Sequence, residues 1–367
     1  MNKKKLLLLS RDPGGTNALI AILDELKKRY EVIIYAKDYA AEIYRNQGID
    51  YIELKTDSKI DITDTLDDII EEYRPDGIIT GQSNKEDNTE MLLWEAARKK
   101  GILSFTIVDS WCSYDQRFPL KKDNTRYQPD YIFVMDRKAQ EEICRLGIAE
   151  DKVIITGQPY LQCLRAAYDT VTEEEIFAYR SRSALDRKII LYASDCIKEI
   201  CNGREEWGYD QFSIFRSIVK AINETCRDAG EYILIVRPHP KESISDWEKE
   251  SKLTGSCIPI LIDNATDSKI VIQSSELVIG MWTILLIEAT LTGKSIASVQ
   301  IGAKKKAPFV LEERGLIKPF ISQEELDRFF RDFFRGGAQE KIEWMMPDNA
   351  IGNITEFINE KTGEQIK

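Results

Sequence analysis

Short, almost wholly apolar runs recur along this chain, each followed by an amphipathic stretch of helical length. That alternation constrains the fold more than any other feature. Runs at 5–10, 31–36, 51–54, 76–80, 104–108, 131–134 and 153–155 read as strands. Stretches at 17–29, 39–47, 64–73, 88–100 and 137–145 read as helices between them. Strands that are apolar at every position, such as Ile78-Ile79 and Tyr131-Ile132-Phe133-Val134, suit a parallel sheet covered on both faces. The 160–177 stretch reads as helical and lacks strand signals, and then the rhythm restarts. Strands are predicted at 189–193, 232–236, 258–262, 277–279 and 295–299, and helices at 212–229, 246–252, 284–292, 323–334 and 350–360.

A chain of 367 residues is long for one domain and comfortable for two. The expected fold is therefore α/β, with two Rossmann-like doubly wound parallel-sheet domains facing across a cleft. The predicted boundaries are 1–167 and 187–345, with a linker near 168–187 and a last helix in 346–367. Doubly wound sheets bind ligands at the carboxyl ends of their strands.

Charge and cysteine usage narrow the function. The net charge of −11 disfavours a nucleic-acid partner, because holding a phosphate backbone requires a basic surface. Seven cysteines without a C-x-x-C pair, and a single histidine, make a metal site improbable and suit reduced thiols. Lys3 to Lys5 followed by Leu6 to Leu9 is too short for a signal segment, and Arg11-Asp12 ends it. No apolar run reaches the ~18 residues of a membrane helix. A cytoplasmic protein with at most peripheral membrane association is expected. Lys304-Lys305-Lys306 is either a patch for anionic lipid or polymer, or a solvated loop.

Five loops at strand ends are candidates for chemistry. Asp12-Pro13-Gly14-Gly15-Thr16-Asn17 joins the first strand to the first helix. Its glycines allow close backbone approach, and a helix start favours anions. It lacks the spacing of a Walker A loop or of G-x-G-x-x-G, and a plain tight turn remains open. Thr80-Gly81-Gln82-Ser83-Asn84 is a second, weaker candidate. The segment Asp109 to Phe118 gathers Asp109, Trp111, Tyr114 and Arg117, which suits a base, a stacking wall and an anion clamp, or else interface packing.

Arg237-Pro238-His239-Pro240-Lys241 follows the 232–236 strand and is the sharpest local signal. Two prolines stiffen a loop that presents arginine, histidine and lysine, a set suited to phosphate. The fifth candidate runs from Ser274-Ser275 through Gly280-Met281-Trp282-Thr283 to a helix bearing Glu288, stopped by Gly293-Lys294. Glu288 sits among Ile284, Leu285, Leu286, Ile287 and Leu291, and an acid in so apolar a helix needs a partner.

The Arg237–Pro240 loop and the Ser274–Lys294 segment together resemble glycosyltransferases of the GT-B fold, above all the CDP-glycerol glycerophosphotransferases and bacterial surface-polysaccharide transferases. The resemblance implies that Arg237 and His239 contact donor phosphate with help from Ser275 or Thr283, and that Glu288 with Gly293 holds the ribose. The loop at Asp109–Arg117 and the stretch from Pro129-Asp130-Tyr131 to Gly157-Gln158-Pro159 are similar to bacterial surface-polysaccharide proteins. Where the CDP-glycerol enzymes carry Asp-Tyr-Ser-Ser, this chain has Gly280-Met281-Trp282-Thr283.

The implied activity is metal-independent transfer of a glycosyl or polyol-phosphate group. The UDP- or CDP/CMP-linked donor is a substrate, no cofactor is needed, and the acceptor is a glycan or lipid-linked molecule. Asp109 is then the candidate base, and Asp12, Gly14, Gly15, Thr16, Trp111 and Arg117 form the acceptor side. A nucleotide-sugar 2-epimerase or hydrolase on the same scaffold is the alternative. A solute-binding module is the non-enzymatic reading.

Overall fold

The computed structural model describes residues 3–55, 62–83, 87–185, 187–200, 204–337, 342 and 346–364. It contains two compact units. One comprises Met1–Cys163 with Met345–Lys367, and the other Leu164–Trp344.

The sheet of the first unit is built from seven parallel strands: β1 (Lys4–Ser10), β2 (Tyr30–Ala36), β3 (Ile52–Glu53), β4 (Gly77–Thr80), β5 (Leu103–Ile107), β6 (Tyr131–Val134) and β7 (Val153–Ile155). Their order is β3-β2-β1-β4-β5-β6-β7. β1 lies near the middle, and Leu6 to Leu9 are at most 2% exposed. Alternate residues of this strand feed opposite faces. Leu6 and Leu8 pack under the Pro13–Arg29 helix, while Leu7 and Leu9 pack with Leu66, Ile69 and Ile70. The unbroken leucine run therefore has a use at every position.

The last helix, Ala350–Glu364, completes this unit. Ile354 and Ile358 are fully buried in the same core as Leu19, Ile22 and Leu26. Phe357 meets Tyr131 edge-on at 4.9 Å, and the Tyr30 hydroxyl bonds Thr362 Oγ1 at 2.9 Å.

In the second unit, β8 (Lys188–Ala193), β9 (Tyr232–Arg237), β10 (Ile260–Ile262), β11 (Ser275–Gly280) and β12 (Ser295–Ser298) form a parallel sheet. The order is β10-β9-β8-β11-β12. In both sheets the strand order reverses once, between β1 and β4 and between β8 and β11. The connections there diverge to opposite faces and leave a crevice at the strands' carboxyl ends.

The boundaries differ from the sequence reading. The chain changes unit inside the helix Pro159–Asp169, and the described residues of the expected linker belong to the second unit. Thr172 and Glu175 form a capping box for the helix Glu173–Tyr179. The Tyr179 hydroxyl donates to Asp263 Oδ2 at 2.8 Å. The helix Ser268–Ser274 was not anticipated; its Ile-Val-Ile centre carries a strand-like composition, and Asp267 caps it through Lys269 N.

Candidate functional site

Backbone crowding shapes the crevice of the first unit. A Cβ on Gly15 would lie 2.6 Å from Gln82 N and 2.9 Å from Gly81 Cα. The first turn of the helix after β1 thus touches the loop after β4 through two glycines, and a larger residue at either position meets backbone. Gly14 abuts Asp109, which follows β5; a Cβ there would meet Asp109 Oδ2 at 1.9 Å.

Asp109 is held on several sides. Its Oδ1 accepts from Arg117 Nη1 at 2.7 Å, and its carbonyl accepts from Gln158 Nε2 at 3.0 Å. Arg117 also donates to Gln82 Oε1 at 2.9 Å and to Ser110 Oγ at 2.7 Å. Asp109, Arg117, Gln82 and Gly14 therefore form one constellation. Asp12 pairs with Arg11 at 2.8 Å. Glu90 is 3% exposed and accepts from Ser83 Oγ at 2.5 Å. Burial pushes the Glu90 carboxyl up to about 7, helped by the charges of Asp87 and Asp12.

Two residues expected on the acceptor side are used otherwise. Thr16 is fully buried and its hydroxyl donates to Asp12 O at 2.9 Å, closing the first helical turn. Trp111 is buried, and its indole N–H donates to Asp136 Oδ2 at 2.8 Å. Asp136 in turn caps the helix Arg137–Cys144 through Ala139 N. Trp111 pins the loop and is no open stacking wall. Asn84 lies outside the described residues.

The crevice of the second unit gathers the loops after β8, β9 and β11. His239 N donates to Glu242 Oε2 at 2.6 Å, and Ser194 Oγ donates to Glu242 Oε1 at 2.9 Å. Lys241 N donates to His239 Nδ1 at 3.2 Å. That bond assigns the ring proton to Nε2, leaving an N–H donor on the far side of the imidazole. Burial, then the Lys241 charge, lowers the His239 pKa, so the ring is neutral at pH 7.

Arg237 does not act beside it as a free cation. Its Nη1 donates to Thr266 O at 2.6 Å and Asp263 O at 3.3 Å. Its visible job is to fix the loop after β10. Thr283 caps the helix Ile284–Leu291, accepting from Leu285 N at 3.4 Å. Glu288 finds its partner in the fully buried Tyr168, whose hydroxyl donates to Glu288 Oε2 at 2.6 Å. Burial raises the Glu288 pKa.

Ser275 and Gly293 fall away from this end. Ser275 opens β11, so it sits at the strand's amino end, about 17 Å from the carboxyl-end crevice. Its hydroxyl is spent on Val271 O at 2.7 Å. Gly293 follows the helix with φ of 70°, the left-handed stop a glycine serves. The lysine cluster is also tied down. Lys304 Nζ donates to Glu205 O at 3.0 Å, and Lys305 lies 3.9 Å from the Trp207 ring centroid.

Sequence reasoning missed Asp195, one strand-end position after β8. Its Oδ2 accepts from Trp282 N at 3.1 Å, so it occupies the turn before the Ile284–Leu291 helix. Burial, with Glu242 adding like charge, pushes it up to about 7. Strand-end placement was the only available signal. Among the described residues, no group of His, Cys, Asp and Glu is arranged to hold a metal ion, and no helix is long and apolar enough to cross a membrane.

No protein-family model and no curated protein matches the chain. Solved structures do match across its full length. The Neisseria meningitidis UDP-GlcNAc 2-epimerase bound to UDP-GlcNAc is 13% identical, with a TM-score of 0.66 over 98% of this chain and 100% of that one. The Methanocaldococcus jannaschii UDP-GlcNAc 2-epimerase is 14% identical, with a TM-score of 0.67 over 98% and 99%. HepE of Anabaena in complex with UDP is 11% identical, with a TM-score of 0.57 over 99% and 98%. At these identities the likeness establishes the two-unit Rossmann-like fold that the sequence predicts.

Proposed function

We propose that this chain is an enzyme acting on a nucleoside-diphosphate sugar, with 2-epimerisation of a UDP-linked sugar as the reaction. The carrying observation is the second-unit crevice, on a fold whose solved examples include one bound to UDP-GlcNAc and one in complex with UDP. There the loop after β9 presents the His239 Nε2–H, and the Gly280–Thr283 turn follows β11 at the strand-order reversal. A neutral N–H and the backbone amides of a helix start are donors for a diphosphate. Glu288, on the same helix, accepts ribose hydroxyls in place of the Tyr168 hydroxyl.

Epimerisation at carbon 2 would expel the nucleoside diphosphate from carbon 1 as the carbon-2 proton is removed, then re-add it as a proton returns to the opposite face. It needs no acceptor and no net redox change. On the first unit, Asp109 is the proposed proton carrier and Arg117 its counter-ion. Glycosyl or polyol-phosphate transfer is the second reading, favoured by the Arg237-Pro238-His239-Pro240 loop alone.

A binding screen of UDP, CDP, CMP, GDP and ADP tests the first step. UDP binding is expected, weakened about 10- to 100-fold by His239→Ala or Glu288→Gln through loss of one bond to a charged group. Incubation with UDP-N-acetylglucosamine in deuterated water, without acceptor, tests the second. The C2 epimer with deuterium at carbon 2 is expected. Binding without isomerisation or exchange, and turnover only with an added acceptor, would move the assignment to transfer. No nucleotide binding at all would remove both.

A further inference from the structure

We propose that Asp195 couples nucleotide binding at the phosphate turn to a proton: its carboxylate fills the turn in the empty protein, and a nucleotide diphosphate displaces it with uptake of a proton. The inference rests on the reading that a diphosphate docks at Gly280–Thr283.

Three observations carry it. First, the turn already holds an anion, because Asp195 Oδ2 accepts from the Trp282 amide at 3.1 Å. A carboxylate and a phosphate oxygen compete for the same donor. Second, one buried donor beside the turn lacks an acceptor. The oxygen of the fully buried Tyr209 hydroxyl takes the Trp282 indole N–H, and its own O–H has no acceptor among the described residues. The Asp195 charge reaches this hydroxyl. Buried donors in a native fold are nearly always satisfied, so an arriving or reoriented acceptor is expected here. Third, the groups around Asp195 are mostly acidic. Glu242 lies behind it, Glu199 faces Glu242 from the helix Ile197–Ile200, and Glu312 faces Tyr209. Tyr192 and Asp210 complete the wall, and Lys241 beside His239 is the nearby cation.

A diphosphate would add two negative charges beside Asp195 and Glu242. Protonating Asp195 relieves that repulsion. The neutral carboxyl then leaves the Trp282 amide to the phosphate and turns toward the Tyr209 hydroxyl. Because burial already holds the free carboxyl at about 7, the proton is taken up near neutral pH. Binding therefore weakens as pH rises through and above 7.

UDP-N-acetylglucosamine is the suitable probe, since its diphosphate keeps two charges from pH 6 to 9. Isothermal titration at pH 7.5 in buffers of different ionisation enthalpy should show uptake of more than half a proton by the full chain. Affinity should fall about tenfold from pH 6.5 to 8.5. Asp195→Asn, an isosteric change that keeps an acceptor for Trp282, should bind with no proton uptake and a flat pH profile. Binding by the wild type without uptake overturns the proposal and leaves the nucleotide site standing. Uptake that survives in Asp195→Asn, or vanishes with Glu242→Gln alone, also overturns it by moving the proton to His239 or Glu242. Binding seen only in Asp195→Asn supports it. Absence of binding in both proteins refutes the nucleotide site and this proposal together.

Discussion

Gly15→Ala is expected to lower the first thermal unfolding transition by about 6–12 °C and to disorganise the first-unit crevice. The new methyl would lie 2.6 Å from Gln82 N and 2.9 Å from Gly81 Cα, and both are backbone atoms. A side chain could rotate away; a helix start and a loop anchored to adjacent central strands cannot. β1 and β4 pair in register from Leu6–Gly77 to Leu9–Thr80, so the loops leave the sheet from fixed points. Overpacking of this kind costs about 3 kcal/mol, and each kcal/mol lowers Tm by about 2–4 °C in a domain of this size. Gly81→Ala meets the same obstacle from the other side, with Gly15 Cα at 2.9 Å. Once one methyl has parted the loops the second finds room, so the double variant should cost less than the sum of the singles. Gly48→Ala is the control, since a Cβ there meets nothing within 4 Å and only its φ of 66° resists. Differential scanning calorimetry gives all four values. Equal small losses for Gly15→Ala and Gly48→Ala would show that the loop contact is soft.

The sheet that creates this contact was legible in the sequence almost strand by strand. Parallel strands buried on both faces have no polar side to blur them, so Leu6–Leu9, Ile78-Ile79 and Tyr131–Val134 stand out. The candidate loops followed, because ligand crevices lie after strands. The same rule, applied to strand direction, excludes Ser275: it precedes its strand and sits at the closed end. What sequence could not give were pairings between distant loops. Trp111 reads as a stacking wall until Asp136, 25 residues on, takes its N–H. Arg237 reads as a phosphate ligand, and the sequence does not show that Thr266 O takes its Nη1. Asp195 carries no motif, and only the approach of β8 to β11 brings it to Trp282. The charge of a strand-end residue is local information; its partner is not.

Those hidden partners set how stability responds to pH, and the response is expected to be a fall from pH 5 to pH 8. Glu90 dominates it. It is buried with Ser83 as its side-chain partner, and its pKa stands at about 7 against an ordinary 4.5. The sign follows from the folded state holding its proton more tightly than the unfolded chain. Below pH 4.5 both states are protonated and the group costs nothing. Between 4.5 and 7 the unfolded chain ionises first, and the folded state is penalised by up to about 3 kcal/mol. Asp195 acts in the same direction, from 3.8 to about 7. Burial raises Glu242, Glu288 and Glu312 as well. Asp87 and Asp263 oppose them only in acid. Despite burial, bonds from Lys37 and Thr89 hold Asp87 low, and Thr266 and Tyr179 hold Asp263 low. Their contribution is lost below about pH 4. Maximum stability should therefore lie near pH 5. Glu90→Gln keeps the contact with Ser83, removes the ionisation and should raise Tm at pH 8 while leaving it nearly unchanged at pH 4.5. Calorimetry of both proteins at the two pH values decides the matter. An equal shift at both would mean that Gln simply packs better, and no shift at pH 8 would mean that Glu90 reaches water when it ionises. A positive result would establish that the folded first unit holds the Glu90 proton to a higher pH than the unfolded chain does.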